Sequence, residues 1–225
     1  MGTNGRFHRD IPEATVARLP LYLRSLISLA GAGDDTVSSA ELATSTGVNA
    51  AKVRKDLSYL GSFGTRGVGY DVERLIFEMS RQLGLTTERS VVIAGAGNLG
   101  QALVKYRGFS DRGFPVAAMI DIDPAKTGSE ISGVLVSSPS SLPEVVAANP
   151  GCIGIVATPA EVAQAVVDRL VEAGITSILN FAPSLVVVPD FVVLRQVDLA
   201  LELQVLSFYA ERNLAGVAEA LHSID

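Results

Sequence analysis

Residues Val91–Gly100 read VVIAGAGNLG, four apolar residues running straight into the turn Gly95-Ala96-Gly97-Asn98-Leu99-Gly100. The QALVKYRG that follows begins an amphipathic helix, so the glycines lie between a short buried strand and a helix. Each glycine then has a physical task. Gly95 permits the tight turn, Gly97 lets the backbone approach a pyrophosphate, and Gly100 lets helix and strand pack closely, with the helix N-terminus facing the negative charge. Such a site also needs a carboxylate at the end of the next strand, about 20 residues on, for the ribose hydroxyls. FPVAAMIDID supplies Asp121, 21 residues after Gly100, with Asp123 behind it. No Arg or Lys adjoins the acid at the strand end, which favours NAD(H) over its phosphorylated form. The competing reading is a glycine-rich turn in an α/β core that holds no ligand.

Past Asp123 the chain keeps alternating. GCIGIVAT, TSILNFA and VVVPDFVVLRQVD read as β-branched runs, with AEVAQAVVDRLVEAG a helix between the first two. The expectation is a doubly wound parallel sheet of Rossmann type. Ligands of such sheets lie beyond the carboxyl ends of the strands. Thr158-Pro159 and Asn180-Phe181-Ala182-Pro183 are therefore candidates for the nicotinamide end of a dinucleotide, or equally loop residues shaped by proline. Hydride transfer needs a positioned acid or base, usually His, Lys or Tyr. The two histidines, His8 and His222, lie near the chain ends, and the lysines of this half are Lys105 and Lys126. Binding without chemistry leads; a nicotinamide-dependent oxidoreductase with an unrelated N-terminal cap, or a synthetase-type nucleotide-binding subunit, is the alternative.

The composition sets the frame. In 225 residues, 48% hydrophobic and 19% charged, there is room for two modest cores and the profile is that of a globular chain. No apolar run reaches a membrane span, and MGTNGRFHRD does not read as a signal peptide, so a cytoplasmic protein without membrane contact is expected. Cys152 stands alone in a buried run and reads as a small core residue, and the spacing of the histidines makes zinc chemistry unexpected. The net charge of −6 is uneven. Residues 1–80 carry nine Lys/Arg and nine Asp/Glu, and residues 81–225 carry nine against fifteen. Within 47–70 the count is Lys52, Arg54, Lys55 and Arg66 against Asp56 alone. A surface field acts over a Debye length of about 8–10 Å, so this local cluster matters more than the overall acidity.

The first ninety residues explain that cluster. TVARLPLYLRSLISLA places Val16, Leu19, Leu23, Leu26, Ile27 and Ala30 on one helix face. VSSAELATSTGVNAAKVRKDLSYLG then gives a short helix capped by Ser38 or Ser39, a break at Gly47, and a second helix capped by Asn49 and stopped by Gly61, the helix-turn-helix arrangement. On the second helix Val53, Leu57 and Leu60 point inward. The opposite face carries Ala51, Lys55 and Ser58, flanked by Lys52 and Tyr59 with Arg54 at the side, suited either to phosphates and base edges or to plain solvation. GSFGTRGVGYDV decides between the two. It forms a glycine-rich hairpin with Arg66 at its tip, and a hairpin appended to a helix-turn-helix is a wing whose Arg can enter an A·T-rich minor groove. DNA binding is the expected function of this half.

Taken together, LPLYLR, VRKDLSYLGSFGTRGVGYDV, GAGNLG, KYRGF, DIDP and ILNFAP resemble the Rex family of bacterial redox-sensing transcriptional repressors, from about Pro12 to Tyr209. The resemblance implies a homodimeric repressor that binds operator double-stranded DNA when NADH is low relative to NAD+ and releases it when NADH binds. It also implies roles that periodicity does not give. Tyr106 in KYRGF would otherwise read as core, Asp198 in QVDLA as a helix cap and Arg24 in LYLR as a solvent residue; the resemblance places Tyr106 by the nicotinamide and joins Asp198 and Arg24 to it in a cofactor-sensing switch. LALELQVLSFYAERNLAGVAEAL sets Leu203, Leu206, Ala210, Leu214, Val217 and Leu221 on one stripe with Leu201, Val205 and Phe208 beside it, wider than one core-facing stripe. That width points to dimerisation, and the resemblance implies that the helix is exchanged between subunits. The expected domains are a winged-helix domain over 1–83, a Rossmann NAD(H) domain over 84–200 and a dimerisation helix over 201–225.

Overall fold

A computed structural model describes the backbone of residues 11–61, 64–65 and 67–222, and side chains as far as residue 213. The chain divides into two compact units, Met1–Thr87 and Glu88–Asp225.

The first unit begins with α1 (Glu13–Val16) and α2 (Leu19–Ala32), followed by β1 (Thr36–Val37) and α3 (Ser39–Thr46). Ser38 caps α3 in a reciprocal box. The Glu41 amide donates to the Ser38 hydroxyl at 3.1 Å, and the Ser38 amide donates to the Glu41 carboxylate at 2.7 Å. Gly47 ends α3 in a left-handed conformation, and Asn49 accepts from the Ala51 amide to start α4 (Ala50–Leu60). A hairpin of β2 (Gly64–Thr65) and β3 (Gly69–Asp71) leads into α5 (Val72–Gln82), and the antiparallel sheet order is β1-β3-β2. This is a helix-turn-helix with a wing. Its core joins Leu19, Leu23 and Leu26 of α2 to Leu42, Val53, Leu57, Leu60, Leu75 and Met79.

The apolar stripe of the first helix needs correction. Val16, Ile27 and Ala30 are exposed, and Tyr22 is fully buried. The chain breaks at Ala17–Arg18, so the helical phase starts afresh at Leu19 and runs through positions 19, 22, 23 and 26, one i, i+3, i+4, i+7 face. Tyr22 can be buried there because its hydroxyl donates to Asp56.

The second unit runs β4 (Val91–Ala94), α6 (Asn98–Lys105), β5 (Val116–Ile120), β6 (Glu130–Ile131), β7 (Val134–Ser137), α7 (Leu142–Ala148), β8 (Ile153–Val156), α8 (Ala160–Glu172), β9 (Ser177–Asn180), β10 (Val193–Gln196) and α9 (Leu199–His222). The sheet order is β10-β9-β8-β4-β5-β7-β6, parallel throughout except for the β6–β7 edge hairpin. All four β4 residues are buried because the central strand is covered on both faces. Val92 and Ala94 join one core with Val167 and Leu170 of α8, and Val91 and Ile93 join the other with Met119 and Leu103. The order reverses at β4, with β5 on one side and β8 on the other, which opens a crevice at the carboxyl ends of those strands.

The β-branched run VVVPDFVVLRQVD yields only the strand Val193–Gln196. Val186 and Val188 pack on the core without pairing, and Pro189 follows. Cys152 is buried just before β8, where loss of solvent pushes its thiol pKa up. Along α9, Leu199, Leu201, Leu203, Val205, Leu206, Phe208 and Tyr209 are each more than half exposed. The expected continuation of that stripe at Leu214, Val217 and Leu221 lies outside the described side chains. Among the described residues no helix is long and apolar enough to cross a membrane.

Candidate functional site

The glycine turn has the geometry its sequence requires. Gly95 adopts φ +108°, and a Cβ there would lie 2.5 Å from the Ala157 carbonyl oxygen at the end of β8. A Cβ on Gly100 would lie 1.8 Å from the Gly95 carbonyl oxygen, so α6 can press against the turn only as glycine. A Cβ on Gly97 would meet nothing within 4 Å, because that position faces open space.

That space is a cavity of about 390 Å3 at the carboxyl ends of β4, β5 and β8. Of the expected site residues, Gly95, Gly97, Asp121, Thr158 and Pro159 line it. The hydroxyl oxygen of Thr158 is buried without a hydrogen-bond partner. Open space against Gly97 and apolar walls at Ile122 and Val162 fit the phosphate and adenosine portions of a dinucleotide, and the unpartnered Thr158 hydroxyl offers it a further polar contact.

Asp121 lines the cavity as expected and also has a structural part. Its carboxylate accepts from the Ala96 amide at 2.7 Å, the Asp123 amide at 2.9 Å and the Lys126 ammonium at 3.2 Å. Burial pushes its carboxyl pKa up, and the two amides with Lys126 more than reverse this, leaving it below the usual carboxylate range. Asp121 thus clamps the glycine turn, and the Ala96 amide is committed to it rather than open to a phosphate. Asp123, with 44% of its side chain exposed, is the more open carboxylate. The sequence reading that no cation adjoins this strand end is also corrected. The turn after β5 brings Lys126 back to Asp121 and to within 3.7 Å of Asp123.

The remaining expected cofactor residues do not line the cavity. Asn98 and Leu99 are exposed on the first turn of α6, and Gly100 is buried behind them. Asn180 is fully buried. Its amide donates to Gln196 at 2.8 Å and to the Ser184 carbonyl at 3.3 Å, and its oxygen accepts from the Ala182 amide at 2.9 Å, so it braces the loop and its side chain is not open to a ligand. Phe181 packs on the sheet core. Tyr106 ends α6 with 55% exposure, its ring edge-on to Phe109, and is not the core residue that spacing alone would give. Asp198 accepts from the Ala200 amide at 2.9 Å, the cap that spacing implies. Arg169 and Ile122 line the cavity and were missed. Arg169 could have been found, since Val162, Val166 and Arg169 share one face of α8.

In the first unit the face of α4 is as its wheel implies. Lys52, Arg54, Lys55 and Ser58 are exposed and Tyr59 is half-buried. Arg54 donates to the Ser39 hydroxyl at 3.0 Å, and Ser58 donates to the Lys55 carbonyl at 2.6 Å. Arg24 is exposed on α2. Arg66 lies outside the described residues. Asp56 is 1% exposed on the inner side of α4 and accepts from Thr15, Arg18 and Tyr22. In the sequence Asp56 stands out only as a charge among Lys52, Arg54 and Lys55.

A winged helix-turn-helix with a basic exposed helix, carried on one chain with a Rossmann-type unit built around a glycine turn, defines a DNA-binding protein with a dinucleotide-type site. The family model "Putative DNA-binding protein N-terminus" matches residues 10–58, and "CoA binding domain" matches residues 86–184. The redox-sensing transcriptional repressor Rex of Streptomyces avermitilis is 56% identical over 96% of this chain and 88% of its own length. That of Pelotomaculum thermopropionicum is 50% identical over 88% of this chain and 93% of its own. The crystal structure of RSP with β-NAD+ and operator DNA matches with a TM-score of 0.85 at 38% identity, covering 93% of this chain and 97% of that one. RSP with β-NADH matches at 0.81 and 36%, covering 92% and 97%. The chain belongs to the Rex family of redox-sensing transcriptional repressors.

Proposed function

We propose that this protein is a homodimeric repressor that holds operator DNA when NADH is scarce relative to NAD+ and releases it when NADH binds. The observation that carries the reading is the cavity against Gly97, with its clamped glycine turn, in a chain whose other unit presents the basic face of α4. The relatives support it, since RSP has been seen with NAD+ and operator DNA and with NADH.

Gly95, Gly97 and the start of α6 at Asn98 and Leu99 take the pyrophosphate, Asp121, which lines the cavity, takes the ribose hydroxyls with Asp123 behind it, and Thr158 and Pro159 border the path to the nicotinamide. NAD(H) supplies a reporter of redox state, not chemistry for this chain to perform. The titratable groups lining the cavity are Asp121, Lys126 and Arg169, the first two paired with each other, which supports a regulator rather than an enzyme. Lys52, Lys55, Ser58 and Tyr59 read the operator from α4 with Arg54 beside them, and Arg66 reaches the minor groove. Tyr106, Asp198 and Arg24 form the sensing network that family membership implies. The exposed apolar length of α9 supports its burial in a dimer, because an apolar helix left in water is unfavourable; its exchange between subunits is what the resemblance to the Rex family implies. Residues 1–83, 84–200 and 201–225 divide these tasks in a cytoplasmic protein.

The test is retardation of operator DNA titrated separately with NADH, NAD+ and NADPH. Release at low NADH with little effect of the other two is expected. Release by none of them, or turnover of NADH with small carbonyl compounds, would overturn the reading.

A further inference from the structure

Asp56 is a heavily committed charge of the first unit, with four hydrogen bonds to its carboxylate, and reading DNA does not by itself require it. It lies on the DNA-facing helix next to Lys55, yet points the other way into the core. One carboxylate oxygen accepts from the Thr15 hydroxyl at 2.9 Å and an Arg18 amino group at 2.8 Å. The other accepts from the Arg18 Nε at 2.7 Å and the Tyr22 hydroxyl at 2.7 Å. All of these donors come from the α1–α2 stretch, 34–41 residues away in sequence.

Stability alone does not account for such an arrangement. A buried ion pair can often be replaced by apolar residues with little loss, because desolvating the charges offsets their attraction. What the arrangement does supply is direction. The contacts of Val53, Leu57 and Leu60 are non-directional and let a helix tilt at small cost. The two-pronged Arg18 fork holds the carboxylate in one plane, and the two hydroxyls fix it along the remaining lone pairs. An α4 of 11 residues is roughly 16 Å long, so a tilt of about 10° moves its far end by about 3 Å. The window for an N–H···O hydrogen bond is only about 0.5 Å wide.

We propose that Asp56 is a positioning residue for operator recognition: its buried carboxylate locks the DNA-facing α4 to α1–α2 at one angle, so that Lys52, Lys55 and Ser58 meet base edges in register and α2, which carries Arg24, moves α4 with it. This rests on the reading of α4 as the DNA-contacting helix.

The test uses the full-length chain with Arg18→Met and Asp56→Leu combined, a change neutral in net charge. An operator is selected with the wild type from random duplexes, and affinity for it is compared at fixed salt with that for an unrelated duplex of equal length. Thermal melting and NADH binding are followed in parallel. The variant is expected to melt below the wild type, because the buried Thr15 and Tyr22 hydroxyls lose their acceptor, but to stay folded at the assay temperature, to bind NADH unchanged and to keep its affinity for the unrelated duplex within twofold, because the exposed lysines remain, while losing at least tenfold on the operator. An operator preference equal to the wild type's, or an equal loss on both duplexes, overturns the positioning role. Should the double variant fail to fold, Tyr22→Phe removes one of the four hydrogen bonds and is expected to cost about threefold in operator preference at unchanged NADH affinity; an unchanged preference there overturns it equally. A wild-type protein that selects no operator would instead remove the functional reading itself, and the positioning role with it.

Discussion

Gly97→Ala separates ligand binding from folding. The residue adopts φ −79° and ψ −170°, extended backbone open to alanine, and the new methyl group meets no atom within 4 Å. Folding stability is therefore expected to stay level or to rise by about 0.4–1 kcal/mol, from the lower entropy of the unfolded chain. The same methyl group protrudes where the backbone should meet the pyrophosphate. Crowding a close contact by one methyl group costs about 1–3 kcal/mol, roughly 5- to 150-fold in affinity. Gly100→Ala is the contrast. Its Cβ would lie 1.8 Å from a backbone oxygen where ordinary contact begins at 3.4 Å, so α6 must move and stability as well as binding falls. The assay is NADH titration calorimetry beside thermal melting on both variants. An NADH affinity for Gly97→Ala within twofold of the wild type, or a weakening matched by an equal loss of stability, would refute the placement of the pyrophosphate.

Two further outcomes follow from the first unit. Lys55→Ala should weaken operator binding at fixed salt and leave NADH binding unchanged, as retardation and calorimetry on the same preparation would record; equal operator affinity would remove α4 from the DNA interface. Burial pushes the Asp56 carboxyl pKa up, but the hydrogen bonds from Arg18, Tyr22 and Thr15 and the charge of Arg18 leave it below its ordinary value; burial and the bond to Asp56 push the Tyr22 phenol up to about 12. The unfolded chain therefore takes up the Asp56 proton first. The stabilisation is complete above about pH 4 and is lost as the pH falls through the lower folded value, so acid melting of the first unit should flatten in the Arg18→Met, Asp56→Leu variant, and an unchanged acid profile by circular dichroism would contradict it.

What could be read from the residues was whatever local spacing encodes. VVIA ahead of three glycines and a helix start specified β4, its turn and α6, and the Ser38, Gly47, Asn49 and Gly61 signals marked the ends of α3 and α4. Long-range pairing left no such trace. Arg18 and Asp56 stand 38 residues apart, and neither has a spacing partner that announces a buried pair. Lys126 looked remote from Asp121 because only the turn after β5 brings it back. Asn180 has the composition of a ligand-facing loop residue, and only the fold shows its amide spent on Gln196 and the loop backbone. The β6–β7 hairpin is too short for its alternation to rise above the surrounding polar residues, and Val186–Val188 has β-branched composition without a strand: Val186 and Val188 pack on the core while Val187 is exposed.

The central claim, that dinucleotide and operator compete through one chain, is tested most directly by NADH calorimetry with and without saturating operator DNA. Linkage requires the two effects to be equal, because a ligand shifts an equilibrium only by its differential affinity for the two states. Operator should weaken NADH binding by the factor by which NADH weakens operator binding, about 5- to 150-fold for a coupling of about 1–3 kcal/mol. The same NADH affinity in the presence and absence of operator would contradict the account.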